Sequence, residues 1–198
     1  FSLTVIDNSS NGKPEYVRNI LFDFPMTAPA MSVTIAGNSL FLGSREYVRV
    51  FDILDPKSPV LKRIESKIDP NDILVTQGNT VYTANGKAVK GFSVGQDSIE
   101  PLFSFETEEP VRQMAPSGKF LILRLSSGKI LSYEISSDGK AVFKTSIPSV
   151  STLTGSDRKI FIQTAKNKIA ILDPEALAEL KILREFILPV NFSYGSYD

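Results

Sequence analysis

The sequence repeats itself with a period of about forty residues, and this repeat constrains the fold more than any other feature. Five prolines stand at the start of the repeats, at Pro29, Pro70, Pro110, Pro148 and Pro189, so the successive spacings are 41, 40, 38 and 41 residues. A partly apolar segment follows each proline. Regular spacing of this kind is typical of proteins built from copies of one small structural unit.

Each repeat contains four short segments with the composition of β-strands. After the segment that follows the proline comes a polar or glycine turn and then an apolar second segment, at residues 40–42, 81–82, 120–123 and 160–162. The third segments are residues 48–52, 88–92, 130–134 and 169–173, and the fourth are residues 60–64, 101–105, 141–145 and 182–187. Apolar–polar alternation bounded by Gly, Asn, Asp and Ser predicts strands joined by hairpins.

The repeats divide a single predicted domain, 1–198, into four full units and one split unit. The full units are residues 26–66, 67–107, 108–147 and 148–188, and the split unit consists of residues 1–25 and 189–198. Residues 1–7 and 16–22 match a third and a fourth strand, and residues 190–194 match a first strand. The split unit thus lacks a second strand. We favour an arc from a longer protein, with self-association through the incomplete unit. The alternative is a ring of five units, closed by the two ends of the chain, with a gap where the second strand is missing.

One segment departs from the strand pattern, at residues 173–180. Asp173 has the character of an N-cap, Pro174 suits the first helical position, and Glu175 places an acid in the first turn. These signals predict a short helical turn, which we interpret as a surface connection at the rim.

Four short strands in about forty residues is the size of one blade of a β-propeller. The chain resembles the β-propeller superfamily, and most of all the bacterial LVIVP and YVTN repeats, in the run Tyr47-Val-Arg-Val-Phe-Asp-Ile-Leu-Asp-Pro-Lys-Ser-Pro-Val-Leu61. It has no Trp and so lacks the Trp-Asp dipeptide of a true WD40 repeat. The resemblance implies an all-β fold: a propeller or propeller arc of about five blades, each of four antiparallel strands, with the terminal blade split between the two ends of the chain.

The residue types present exclude much catalytic chemistry. The chain contains no His and no Cys, so His-based triads, cysteine nucleophiles and the usual zinc sites are absent. Carboxylates remain, at Asp7, Asp52, Glu134 and Asp173 near the ends of third strands. They have the chemistry of hydrolytic groups or Ca²⁺ ligands, but Asp at a strand end usually organises the adjacent turn. We therefore predict no enzymatic activity, no metal site and no cofactor.

Charge and hydropathy narrow the class of partner. The chain has 22 basic and 22 acidic residues, which argues against binding of nucleic acid, and no apolar run is long enough to predict membrane insertion. The 13 Phe residues fall mostly on predicted strands, so we expect them to pack between blades rather than to form a ligand platform.

The function that these features favour is a non-enzymatic scaffold that binds a protein or peptide through the turns of one propeller face. Four basic residues lie in or beside the turns between second and third strands: Arg45, Lys87, Lys129 and Lys168. We expect this face to bind an acidic or polar partner in a salt-dependent way. Two alternatives remain open: a cell-envelope propeller with carbohydrate-binding or carboxylate-based hydrolytic function, and a purely structural module. The sequence does not determine the compartment, although an extracytoplasmic or cell-surface location is favoured.

Overall fold

The computed structural model describes residues 2–7, 15–21, 30–44, 48–55, 57–65, 68–69, 73–136, 138–147, 150–156, 159–165, 167–179 and 181–187. Within these ranges the regular elements are β-strands and one 3₁₀ helix. No helix in the described part of the chain is long and apolar enough to span a bilayer.

The strands form one hairpin followed by four sheets. The hairpin pairs β1 (Ser2–Asp7) with β2 (Glu15–Leu21). The first sheet contains β3 (Ala30–Ala36), β4 (Ser39–Ser44), β5 (Val48–Asp52) and β6 (Val60–Glu65). The second contains β7 (Ile73–Gln77), β8 (Thr80–Asn85), β9 (Ala88–Val94) and β10 (Ile99–Glu106). The third contains β11 (Val111–Ser117), β12 (Phe120–Leu125), β13 (Ile130–Ile135) and β14 (Ala141–Ile147). The fourth contains β15 (Thr152–Ser156), β16 (Lys159–Ala165), β17 (Lys168–Leu172) and β18 (Ile182–Ile187).

Each of the four sheets is an antiparallel meander in chain order, which confirms the predicted unit of four strands. Tight turns make the meander possible. Gly37 and Gly78 occupy the turns between the first and second strands of the first two sheets, and both have a φ of 56°. Side chains with a Cβ rarely adopt this left-handed conformation, so glycine is required at both positions.

A β-bulge recurs at the same place in the fourth strand of every sheet. The residues skipped by the pairing register are Lys62, Leu102, Lys144 and Leu183. The hairpin has the same irregularity, because the register between β1 and β2 skips Val17. A bulge bends and twists its strand, and here it falls on the outermost strand of each unit. The shared bulge supports the interpretation of the hairpin as a third and a fourth strand.

Among the described residues, three of the four buried clusters lie between consecutive sheets, and the small fourth one, Leu40, Leu42 and Phe51, lies on the first sheet alone. One buried cluster joins the first and second sheets and includes Phe41, Val50, Val81 and Phe92. A second joins the second and third sheets, and a third joins the third and fourth. Sheets that pack face to face in sequence order, with β3, β7, β11 and β15 innermost, form an arc of a β-propeller. We call the four sheets blades 1 to 4 in chain order.

The segment between β17 and β18 is a 3₁₀ helix, η1 (Pro174–Glu179), rather than an α-helix. Asp173 caps it, since the Glu175 N–H donates to Asp173 Oδ1 at 2.9 Å. Leu177 is buried in the cluster between blades 3 and 4. The segment is therefore more than the surface connection expected from the sequence, because it contributes a side chain to a blade interface.

The predicted split blade combines the two ends of the chain. Residues 189–198, which include the predicted first strand of the split blade, lie outside the described residues. The split blade and the closure of a five-bladed ring therefore remain predictions.

Candidate functional site

The meander topology gives the arc two faces with different components. One face, which we call the linker face, carries the turns between second and third strands and the links between blades. Hydrogen bonds join these parts: the Val111 N–H donates to the Gly86 carbonyl (2.7 Å), and the Val150 N–H donates to the Gly128 carbonyl (3.0 Å). The opposite face, which we call the hairpin face, carries the turns between first and second strands and between third and fourth strands.

The linker face carries both positively and negatively charged side chains. Lys129 Nζ lies 2.5 Å from Glu108 Oε1, and Lys168 Nζ lies 2.9 Å from Glu185 Oε2. Lys87 is exposed, and its carbonyl accepts a hydrogen bond from the Thr107 N–H. Arg45, the fourth basic residue predicted here, lies outside the described residues. Two of the three described lysines thus have an acidic partner, which the pattern of turn residues did not reveal.

Glu109 shows how the links hold this face together. Its Oε2 accepts hydrogen bonds from the Ser126 hydroxyl and the Ser127 N–H, both at 2.9 Å. These two bonds lower the pKa of Glu109. An acidic residue of the link between blades 2 and 3 therefore anchors a turn of blade 3.

Two of the strand-end carboxylates, Asp52 and Glu134, are held by lysines of their own blades. Asp52 Oδ1 accepts the Leu54 N–H at 2.8 Å, and Asp52 Oδ2 lies 3.1 Å from Lys62 Nζ. The hydrogen bond from Leu54 is the main cause, and Lys62 the next, of the lowered pKa of Asp52. Asp52 therefore organises the turn that follows β5, as the sequence interpretation proposed for acids at strand ends.

Glu134 is the most strongly held of these carboxylates. Its two oxygens lie 2.8 Å from Lys144 Nζ and 2.9 Å from Lys119 Nζ. Hydrogen bonds from Lys144 and then from Lys119 lower the pKa of Glu134 to about 2. Asp173 caps η1, and the side chain of Asp7 lies outside the description. In the described residues no three Asp or Glu side chains gather as they would around a metal ion.

A polar cleft of about 540 Å³ opens on the hairpin face between blades 1 and 2. Its walls come from the turns at Asn38 and Asn79 and from the turn after β9, which includes Gln96. Lys62 crosses the base of the cleft, since its Nζ donates to the Gln96 carbonyl at 3.2 Å. Sequence reasoning missed this site. Its only signal was the Gly-Asn turn, which occurs in two consecutive repeats.

A second cavity, of about 460 Å³, lies where the innermost strands of all four blades meet. Its described lining contains no charged side chain. The hydroxyls of Thr34 and Thr76 lie 2.8 Å apart, and the Thr76 hydroxyl donates to the Ile35 carbonyl at 2.6 Å. Hydroxyls that already have partners in an uncharged cavity offer no acid or base to a reacting group.

In the part of the chain that the structure describes, most aromatic side chains pack between blades, as predicted. Phe41, Phe92 and Phe120 are buried in the interblade clusters. At the rim, Phe105 of blade 2 stacks on Tyr133 of blade 3, with ring centroids 4.3 Å apart. Phe143 meets Tyr133 edge-on but stays half exposed.

A scan against protein-family models and a sequence search of curated proteins found no match. Solved structures do resemble the chain. A protein from Lactobacillus plantarum matches it with a TM-score of 0.64 and 13% identity, over 97% of this chain and 64% of that one. The periplasmic gluconolactonase PpgL of Pseudomonas aeruginosa matches with a TM-score of 0.61 and 15% identity, over 94% and 64%. The β-propeller domain of Cps50 (Swd1) from Myceliophthora thermophila matches with a TM-score of 0.60 and 13% identity, over 90% and 64%.

These similarities define the fold class of the chain, which is that of a β-propeller. At such low identity they carry the fold alone. The chain spans less than two thirds of each of the three proteins. One is named as an enzyme and another as a propeller domain, so the shared fold does not select a function.

Proposed function

We propose that the chain is a non-enzymatic β-propeller scaffold that binds a protein or peptide through the linker face. The observation that carries the proposal is the engagement of the strand-end carboxylates. Asp52 and Glu134 are each bound to lysine and have lowered pKa values, so neither is suited to donate a proton near neutral pH. They also belong to different blades, whereas paired-carboxylate hydrolysis needs two carboxyl groups within about 10 Å.

The linker face offers the kind of surface that a polar partner would bind. It presents Lys87 beside the exposed pair of Lys129 and Glu108. Exposed ion pairs are worth little to stability, so a partner's carboxylates can compete for these lysines at small cost. Binding of this kind is steered by charge and weakens with salt.

Charge reversal tests the proposal. The triple variant Lys87→Glu/Lys129→Glu/Lys168→Glu should lose the partners that immobilised wild type captures from the source cell, as measured by quantitative mass spectrometry. The matched control is Lys57→Glu/Lys140→Glu/Lys181→Glu, which makes the same charge change in connections on the hairpin face. We expect the control to retain those partners.

Two outcomes contradict the proposal. Equal loss of partners in both triple variants would assign the effect to overall charge rather than to the linker face. The second outcome is that the linker-face variant captures the same amount of those partners that are shown to bind purified wild type. The binding surface would then lie elsewhere.

A further inference from the structure

The cleft between blades 1 and 2 has features of a small-molecule site that the scaffold function does not use. Its volume of about 540 Å³ lies within the usual range for ligand pockets, about 300–1,000 Å³. Three residues with side-chain amides line it, Asn38, Asn79 and Gln96, and each belongs to a different turn. An amide both donates and accepts hydrogen bonds, as does a hydroxyl group of a ligand.

The main chain holds the two asparagines in place. The Asn38 carbonyl accepts the Ile53 N–H at 2.9 Å, and the Asn79 carbonyl accepts the Val94 N–H at 2.7 Å. The two turns are also joined directly, because the Gly37 N–H donates to the Gly78 carbonyl at 3.2 Å. Both amides therefore start from a fixed backbone, which lowers the entropic cost of binding a ligand.

Gly37 provides the room for one of these amides. A Cβ placed on Gly37 would stand 2.8 Å from Asn79 Oδ1, which is too close for any real contact. The Asn79 side chain therefore lies directly against the backbone of the neighbouring blade, at the border of the cleft.

The charge of the cleft selects against ionic ligands. Its described lining has one acid and one base, Asp52 and Lys62, which pair with each other at 3.1 Å, and the exposed Asp97 next to the lining places a second carboxylate 3.7 Å from Lys62 Nζ. A charged ligand would have to compete with this pair, whereas a neutral one can accept from Lys62 or donate to Asp52 without breaking it. Leu54, which is 77% exposed, adds an apolar surface at the same cleft.

Comparison of the repeats shows that this combination is particular to one blade interface. Blade 3 has Lys119 where blades 1 and 2 have Asn38 and Asn79, and blade 2 has Ser93 where blade 1 has Asp52. Packing and turn formation alone do not require two amides, since blade 3 forms the same turn with lysine.

We propose that this cleft binds a neutral, polyhydroxylated ligand of mono- or disaccharide size. The amides of Asn38, Asn79 and Gln96 bind its hydroxyls, Asp52 accepts from one of them, and Leu54 packs against an apolar face of the ring.

The test is an NMR titration of the whole chain with glucose, galactose, mannose, N-acetylglucosamine, maltose and cellobiose. We expect at least one of these sugars to shift the side-chain NH₂ signals of Asn38, Asn79 and Gln96. Asn79→Ala should lower the affinity for that sugar about tenfold, because one or two hydrogen bonds to it are lost. Asn85→Ala, at the opposite end of β8, is the matched control and should bind as wild type does.

A salt series distinguishes a neutral ligand from an anionic one. Raising NaCl from about 0.05 M to about 0.5 M should change the affinity less than twofold, because no net charge is bound. Tighter, salt-sensitive binding of gluconate than of glucose would overturn the proposal. The absence of any sugar-induced shift in the cleft would also overturn it. A third contrary outcome is that Asn79→Ala and Gln96→Ala both give spectra of a folded protein and both bind the sugar as wild type does.

Discussion

Lys62 of β6 lies 3.1 Å from Asp52 Oδ2 of its own blade and 3.2 Å from the Gln96 carbonyl of the next one. One ammonium group thus ties the end of a third strand to the adjacent blade. The bulge in β6 places Lys62 there, and the bulge in β14 places Lys144 against Glu134 in the same way. The acid and the lysine thus occur together in blades 1 and 3. Both are replaced in blade 2, by Ser93 and Leu102, whereas blade 4 has the acid, Asp173, with Leu183 at the bulge.

The first prediction concerns this pairing. Lys62→Leu should lower the melting temperature, because Asp52 loses its cationic partner and blade 2 loses a contact. The double variant Asp52→Ser/Lys62→Leu should lower the melting temperature by less than the sum of the decreases in the two single variants, because it introduces the Ser and Leu pair that blade 2 has at these positions. Thermal unfolding of the four proteins in a double-mutant cycle measures the coupling. Strictly additive effects would contradict the structural link between the two residues.

A second prediction concerns acid stability. Because the folded pKa of Glu134 is lowered from 4.5 to about 2, its ionised form contributes stability above the unfolded pKa. That contribution is lost as the pH falls from about 4.5 to about 2. Glu134→Gln should therefore unfold at a lower temperature than wild type at pH 7, and the difference should shrink in this acid range. Melting curves measure it, with Glu106→Gln, at an exposed residue of β10, as the control. A difference that stays constant from pH 7 to pH 2 would refute the assignment.

A third prediction concerns the rim of the blade 2–blade 3 interface. Phe103 lies across Gly91, and a Cβ there would stand 2.7 Å from Phe103 Cζ. Gly91→Ala should displace the ring, disturb its stacking on Phe105 and destabilise the protein by about 1–3 kcal/mol, a typical cost of overpacking. Adding Phe103→Leu should recover part of this loss, because it removes the clashing ring atoms. Urea unfolding measures both variants. If Phe103→Leu gave no recovery, the cause would lie in the backbone instead.

A fourth prediction concerns self-association. Val33 and Ile35 are 56% and 54% exposed on the innermost strand of blade 1, and Leu61 and Ile64 of β6 are exposed on the same sheet face. We expect this apolar face to drive association at high concentration. Ile35→Lys should weaken it by at least about tenfold, because a charge would be buried in the interface. Sedimentation equilibrium measures this. Leu54→Lys, at an exposed apolar residue outside this face, should have no effect, and a monomeric wild type would disprove the prediction.

A fifth prediction concerns catalysis. The chain should not turn over gluconolactone, simple esters, glycosides or phosphate esters, because the strand-end carboxylates Asp52, Glu134 and Asp173 are bound to lysines or to a turn N–H group. Steady-state assays against these substrates test this, with Asp52→Asn as the control for any rate above background. A turnover that Asp52→Asn abolished would establish an enzyme and contradict the scaffold proposal.

The sequence by itself determined the strands, the unit of four and the absence of His and Cys chemistry. These are local properties, since apolar–polar alternation and turn residues act within a few positions of each other. The sequence did not determine the bulges. A bulge depends on how two strands align, and nothing in the composition of β6 or β14 marks Lys62 or Lys144 as the extra residue.

The tertiary structure decided which side chains meet. The sequence interpretation counted Lys129 only as a positive charge on one face. In the structure the link between blades 2 and 3 packs against the turn that contains Lys129, and this brings Glu108 into an ion pair with it. The cleft likewise exists only because blades 1 and 2 place Asn38 and Asn79, about one repeat apart, at neighbouring turns. Distances across a blade interface depend on the twist of the two sheets and on the angle at which they pack. Many residues of both sheets contribute to that twist and angle. No short sequence motif therefore predicts which side chains meet across the interface.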